Sequence, residues 1–533
     1  DLYEVRAAEG DDVAAAEAYR QAMGNKELDP LLHKALELVG QGRLGVAEGI
    51  CREYLKRRPH DVDAIRLLAE VGISIGSIGE AILLLERCLE LAPEFHVARS
   101  NYVTALSRHQ RFDEALTENE QLREAQPNNL AHQVQFATTL SMAGRFETAH
   151  GEFVKVLEQA PDNERILTSY GHSLRYGGKG EEAIAIYLRA IEAEPSAGEA
   201  YWSLANLKTF RFDDTQLKSM QSQLASLTQP SEDKTHLAFA VGKALEDRES
   251  YDTSFAAYAE GNAIKRQMSG YDADKTSARV DRLIAQCGAD LWNEEGHPSD
   301  EAIFIIGLPR SGSTLLESLI TSGTQEITTY GESNFFNMAI LEQLNSDIFD
   351  KEFKIKNFNY DIDLMKIENS INERYNLKKN FNQEFIFLDK SLENLFNIEI
   401  ILQIFPKAKF IHTNRNLKDA ILSIYFSMLP ELSWTHSLKT IKNYIKSYQL
   451  NIAYFKEKFT NKIFEVNLDE FTLDPERISK DIFNFCELNW NKEILNFYNR
   501  KDLFSKTLSA FQIRNEINKK NQSEYKKYYF LLN

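Results

Sequence analysis

Gly307, Arg310, Ser311, Gly312, Ser313 and Thr314 lie between an apolar run, Ile303–Ile306, and an apolar helical start at Leu315 and Leu316. A strand, a glycine-bounded turn and a helix N-terminus in that order gather backbone N–H groups and hydroxyls around an anion. Gly307 and Gly312 are spaced as in a phosphate-cradling loop, with Ser313 and Thr314 following. A loop built for magnesium–triphosphate nucleotides would carry lysine where this chain has Ser313. Here the basic residue is Arg310, inside the loop and after a proline, so the chemistry indicated is recognition of a different phosphate-bearing group. By itself the loop is also compatible with a purely structural turn. Arg415 follows a second apolar run, and Ser423, eight residues on, can converge with it on one anion; the plainer alternative is a surface arginine beside a capping Asp419. Lys390 follows a third run, where an ammonium can neutralise charge on a transferring group or simply be solvated. Glu332, after Gly331, is a carboxylate able to take a proton or to cap a helix. His412 is a weaker base candidate, because strand histidines usually find a backbone partner.

These residues need a frame that brings them together. Short apolar runs at Phe304–Ile306, Phe385–Leu388, Lys409–His412 and Ile463–Val466 alternate with amphipathic helices. That alternation predicts a parallel sheet with helices on both faces. Ligands of such sheets bind beyond the carboxyl ends of the strands, which is where Arg310, Lys390 and Arg415 fall.

Gly307-Leu308-Pro309-Arg310-Ser311-Gly312-Ser313-Thr314-Leu315-Leu316 resembles the 5′-phosphosulfate loop of sulfotransferases that use 3′-phosphoadenylyl sulfate (PAPS). Arg415, Asp419 and Ser423 resemble the family's clamp for the 3′-phosphate, with Leu417 where many members have proline. The resemblance implies that Lys390 stabilises the transition state and that Glu332 is the base, as in tyrosylprotein sulfotransferases. Those enzymes carry two successive glutamates, whereas Ser333 holds the second place here. Lys506–Arg514 is similar to the family's Thr-x-Ser-x-x-Gln-Val-Arg segment, which implies that Ser509 meets the bridging region of PAPS and that Arg514 adds charge. Two places depart from the family pattern. Glu524 stands where a basic residue is usual, leaving Lys526 or Lys527 to replace it, and Leu468-Asp469 replaces Tyr-Glu. The implied reaction is metal-free sulfuryl transfer to a hydroxyl acceptor, with a polypeptide tyrosine as first choice and a glycan or lipid hydroxyl as second. A different class of function also stays open, an interaction protein whose transferase half no longer turns over.

The N-terminal half is organised differently. Pro59, Pro93, Pro127, Pro161 and Pro195 recur every 34 residues, and so do Ala47, Ala81, Ala115, Ala149 and Ala183. That period is the tetratricopeptide (TPR) length. The alanines suit close helix crossings, and the prolines end the second helix of each unit. Ala35, Ala69, Ala137, Gly171 and Ala205 share a small-residue site that Val103 breaks, while Gly42, Gly76, Gly144 and Gly178 mark inter-helix turns. Leu237–Asp247 and Tyr258–Asn262 read as a helical hairpin capping the array, similar to the connector of bacterial proteins that fuse TPR repeats to a sulfotransferase. The expected organisation is an N-terminal helical segment (1–27), repeats (28–209), a connector (210–296) and the transferase domain (297–533). The expected fold class is an all-α TPR solenoid followed by an α/β, P-loop-like sulfotransferase domain with a parallel sheet.

Composition agrees with this division. Residues 1–300 carry 32 Lys and Arg against 49 Asp and Glu, whereas residues 301–533 carry 30 against 30. The net charge of −17 therefore sits in the first part and argues against nucleic-acid binding. Cys51, Cys88, Cys287 and Cys486 are scattered without metal-ligand spacing and read as buried free thiols of a reducing compartment. With no apolar stretch approaching 18 residues and no signal peptide in view, the expected location is cytoplasmic.

Overall fold

The computed structural model describes residues 28–40, 43–75, 77–207, 209–269, 301–323, 327–340, 364–375, 386–429, 432–499 and 525–532. The expected N-terminal helical segment, Gly42, Gly76, Cys287, the boundary at residues 296–298, Ser509 and Arg514 lie outside the described residues. Two compact units divide the chain, one ending at Gly177 and the other beginning at Gly178.

The first unit is a stack of antiparallel helix pairs. They are α1 (Pro30–Gly40) with α2 (Leu44–Arg57), α3 (Val62–Ile75) with α4 (Ile78–Leu91), α5 (His96–Arg108) with α6 (Phe112–Ala125), and α7 (Leu130–Met142) with α8 (Phe146–Gln159), followed by α9 (Glu164–Tyr176). The second helices start at residues 44, 78, 112 and 146, which is the 34-residue period made visible. Ala47, Ala81, Ala115 and Ala149 are each fully buried, as a close helix crossing requires. Val103 is buried at the small-residue site, so that crossing absorbs the larger side chain. Asn129 and Asn163 cap α7 and α9 by accepting from Ala131 N and Ile166 N. The turn before α8 uses Gly144 at φ 76°, and the equivalent turn before α6 forces Gln110 to φ 63°.

In the second unit α10 (Gly180–Ala193), α11 (Gly198–Asn206) and α12 (Asp214–Ser226) lead to a hairpin of α13 (Glu232–Glu246) and α14 (Tyr251–Ser269). The helical hairpin read at Leu237–Asp247 and Tyr258–Asn262 falls on α13 and α14, and α13 packs on α11. Its second helix does more, because α14 shares a core with the α/β layers. Tyr258 stacks on Phe426 at 4.4 Å, and Asn262 Nδ2 donates to Tyr425 O at 3.0 Å.

The α/β layers run β1 (Glu301–Gly307), α15 (Ser313–Ser322), β2 (Ile327–Thr329), α16 (Leu364–Arg374), β3 (Ile386–Asp389), a 3-10 turn (Leu392–Asn397), α17 (Ile398–Ile404), β4 (Lys409–Asn414), α18 (Leu417–Tyr425), α19 (Leu438–Lys458), β5 (Ile463–Asn467), α20 (Leu468–Leu473) and α21 (Pro475–Phe485). The sheet is parallel throughout in the order β2-β3-β1-β4-β5. Ile303 and Ile305 face a core with Leu319, Ile482 and Phe483, while Phe304 faces Phe336, Phe387 and Phe410 on the other side. Apolar residues on both faces are what a sheet covered by helices on both sides demands. Four strands coincide with the apolar runs of the sequence. The fifth, β2, is a three-residue edge strand with one apolar side chain, too short to register as a run.

Candidate active site

β1 is the middle strand, and its carboxyl end opens into the loop. A Cβ on Gly307 would lie 2.1 Å from Thr413 Oγ1 of the neighbouring strand β4, so only glycine fits at this register position. Ser311 donates to Leu308 O at 2.6 Å and lies 2.5 Å from Thr413 Oγ1, which ties its hydroxyl into the loop itself. Arg310 (φ 68°) and Gly312 (φ 96°) flank it in the left-handed region. Left-handed residues in such a loop curve the chain so that neighbouring N–H groups converge on an anion. Ser313 and Thr314 are buried in the first turn of α15, where N–H groups lack intrahelical acceptors. Leu468 packs against the loop, within 2.6 Å of where a Gly312 Cβ would stand. The position thus contributes apolar packing where the resembling family has a tyrosine.

β4 delivers Arg415 beside this loop. Its Nη1 donates to Arg310 O at 3.4 Å, its Nη2 lies 3.9 Å from Asp419 Oδ2, and its Nε is buried with no hydrogen-bond partner among the described residues. Asn416 caps α18 through Lys418 N and Asp419 N, while Asn416 N donates to Asp469 Oδ2 at 3.0 Å. Tyr529, from the C-terminal 3-10 turn, donates to Asp419 Oδ1 at 2.9 Å. Burial, and then the Asp419 carboxylate, push the Tyr529 phenol up to about 12. Ser423 is buried on α18 beyond Asp419.

β3, on the other side of β1, delivers Lys390. This ammonium is only 1% exposed and donates to Glu332 Oε1 at 2.6 Å, with Glu317 Oε2 3.7 Å away. The residue before it is held firmly. Asp389 accepts from Tyr375 OH at 2.6 Å, Ser391 N at 2.7 Å, Asn394 Nδ2 at 3.1 Å and Ser333 OH. The Lys390 N–H donates to Gly331 O at 2.8 Å, which joins the strand end to the turn carrying Glu332.

The structure therefore brings Arg310, Ser311, Gly312, Ser313, Thr314 and Arg415 together at the loop, and pairs Lys390 with Glu332 at the adjacent strand end. His412 is buried with Tyr448 and Glu465 as its neighbours, 3.4 Å from the latter's Oε1. Lys527 pairs with Glu246 of the connector at 3.0 Å. Sequence reasoning missed Glu317, Asp389, Tyr375 and Tyr529. A signal did exist for Glu317, as the one charged residue in the otherwise uncharged helix Ser313–Ser322. The others are met only through contacts between distant segments.

The fold and this site define an α/β domain with a glycine-bounded loop at the carboxyl end of its middle strand, in one chain with helical repeats. Residues 302–492 match the sulfotransferase family, and residues 32–94 and 168–207 match the tetratricopeptide repeat. The chain joins a tetratricopeptide-repeat region to a sulfotransferase-family domain. An uncharacterised protein of Aquifex aeolicus (strain VF5) is 25% identical over 337 residues, which span 60% of this chain and 43% of that protein. Among solved structures, YrrB, described as a TPR protein with an unusual peptide-binding site, is 22% identical over 35% of this chain and 96% of its own, with a TM-score of 0.27. A thermophilic TPR protein of Thermus thermophilus is 21% identical over 31% of this chain and 90% of its own, with a TM-score of 0.28. Among the described residues no helix is long and apolar enough to cross a membrane.

Proposed function

We propose that this protein is a PAPS-dependent sulfotransferase whose acceptor is a hydroxyl, first of all that of a tyrosine in a polypeptide. The observation that carries this reading is the Lys390–Glu332 pair at 2.6 Å, at the end of the strand beside β1 and its anion loop. The donor set suits the nucleotide. Two arginines, buried hydroxyls and helix N-terminal N–H groups surround the loop, and the buried Arg415 Nε still lacks an acceptor among the described residues. In this proposal the N–H groups from Ser311 to Thr314, with the Ser313 and Thr314 hydroxyls and Arg310, hold the 5′-phosphosulfate. Arg415 and Ser423 hold the 3′-phosphate; by the same resemblance Ser509 meets the bridging region of PAPS and Arg514 adds charge. PAPS supplies the sulfuryl group. The acceptor oxygen forms a bond to sulfur as the bridging S–O bond breaks, and the electron pair leaves on adenosine 3′,5′-bisphosphate. Glu332 takes the hydroxyl proton, while Lys390 neutralises charge growing on the transferring oxygens.

A repeat region in the same chain as a transferase favours a polypeptide acceptor, since a tethered groove raises its local concentration. The acidity of residues 1–300 disfavours acidic sequences around the target tyrosine and leaves glycan or lipid hydroxyls as the alternative. Three buried free thiols, Cys51, Cys88 and Cys486, support a cytoplasmic location as part of the same proposal. Lys527, engaged with Glu246, favours a second reading in which the domain binds PAPS without turnover. The test offers labelled PAPS with peptide, phenol, glycan and lipid acceptors, and ATP in parallel. Lys390→Ala and Glu332→Gln should each lower kcat at nearly constant nucleotide affinity, because their partners develop in the transition state. Nucleotide binding without transfer to any acceptor refutes the enzymatic reading. Removing residues 1–177, and not 1–209, spares the contact of α11 with α13. If the repeats recruit polypeptide, that deletion should cut peptide kcat/KM at least ~10-fold and leave phenol turnover intact.

A further inference from the structure

We propose that Glu317 is a positioning residue that holds the Lys390–Glu332 pair in register with the anion-loop helix. The proposal rests on the sulfuryl-transfer reading for its kinetic consequence and on geometry for its origin. Glu317 stands one turn into α15, three residues after Thr314, on the helix that the loop opens. It reaches two parts of the acid–base pair at once. Its Oε2 lies 3.7 Å from Lys390 Nζ, and its Oε1 accepts from Thr329 Oγ1 at 2.6 Å. Thr329 in turn accepts from Gly331 N at 3.2 Å, within the left-handed turn (φ 58°) that presents Glu332. One buried carboxylate thus touches the lysine on one side and anchors the turn of its partner on the other.

The electrostatics give this arrangement a purpose. Lys390 is almost fully buried, so an ammonium there needs a counter-charge. Glu332 supplies one in the structure, but a base that has taken the acceptor's proton no longer carries that charge. Glu317 is more buried than the half-exposed Glu332, and it offers Lys390 a second counter-charge while Glu332 holds the proton. The charged groups facing Glu317 are Lys390 and Asp389 at the end of β3 and Glu332 from the turn after β2. Burial pushes the Glu317 carboxyl above its ordinary value, with Lys390 opposing. Glu317 thus has little reach to solvent and acts through its neighbours.

The experiment compares wild type, Glu317→Gln and Thr329→Val in the full chain, with three readouts. Removing the Glu317 charge leaves the buried Lys390 ammonium with Glu332 as its close counter-charge, so Glu317→Gln should change the electrostatic surroundings of the ammonium. Carbon-13-labelled lysine resonances, recorded at one pH, read that change as a moved Lys390 chemical shift without any need for turnover. The value of kcat should fall about tenfold at unchanged adenosine 3′,5′-bisphosphate affinity. Thr329→Val keeps the charge and should lower kcat while leaving the Lys390 chemical shift in place. An unmoved Lys390 chemical shift in Glu317→Gln overturns the proposal, and so does a kcat loss matched by equal losses of affinity and melting temperature. If wild type transfers nothing to any acceptor, sulfuryl transfer fails as a reading, and the Lys390 chemical shift still decides the role of Glu317.

Discussion

His436 should make the joint between the connector and the α/β layers acid-sensitive. Its side chain is 1% exposed, and Nδ1 lies 3.1 Å from Asn262 Oδ1. The Asn262 amide already donates through Nδ2 to the carbonyls of Tyr258 and Tyr425, so its Oδ1 must accept. The neutral ring therefore carries its proton on Nδ1, which leaves the buried Nε2 without a hydrogen-bond partner among the described residues. Burial, followed by the charges of Lys265 and Arg266, lowers the imidazole from 6.5 to about 4. Below pH 6.5 the unfolded chain takes up this proton and the folded chain does not. Stability is therefore present above pH 6.5 and is lost progressively as pH falls to about 4. A difference of roughly 2.5 units corresponds to about 3 kcal/mol. Asn at this position carries its Nδ2 where the ring carries Nδ1, so it can still donate to Asn262 Oδ1 and does not titrate. Hydrogen exchange of α14 and α18, followed from about pH 7 to pH 4, should show wild type losing about 3 kcal/mol of protection relative to His436→Asn. Parallel pH dependence in the two proteins would refute the reasoning, since it would mean that the ring is not held neutral by its site.

Arg310→Ala and Arg415→Ala should each weaken adenosine 3′,5′-bisphosphate binding by about 2–4 kcal/mol, the loss of a cationic partner in a partly dry site, as read by calorimetry. Gln110→Gly should stabilise the first unit by about 1 kcal/mol, since it relieves a side chain held at φ 63°; unchanged denaturation would show that the neighbouring turn had absorbed the strain. Gly307→Ala forces a methyl to within 2.1 Å of Thr413 Oγ1 and should displace the loop, abolishing nucleotide binding before it unfolds the repeats; binding that survives in a folded variant would show that the loop can shift without losing its ligand.

The repeat architecture was legible because tetratricopeptide contacts are local. A 34-residue unit repeats its buried alanine and terminal proline in phase, and helix pairs adjacent in sequence are adjacent in space. The anion loop was legible for a similar reason, since strand, turn and helix are consecutive and each residue's task follows from its place in that run. Arg415 and Lys390 could be nominated because strand ends announce themselves as charges after apolar runs. Glu332 could be nominated only through resemblance, as its local surroundings also suit a cap. Other features arose where segments far apart in the chain meet. The edge strand β2 takes its conformation from pairing with β3, not from its own composition. Glu317 became part of the site because α15 lies beside the end of β3, whose Lys390 is far along the chain. The connector hairpin was expected to close a solenoid, yet Tyr258 and Asn262 bind it to Phe426 and Tyr425, next to the helix that carries Asp419 and Ser423. Residue types and spacing determined which groups can do chemistry here. The tertiary structure decided which carboxylate each buried charge meets, because the cost of burying an ammonium is met by the nearest group in space, whatever its distance in sequence.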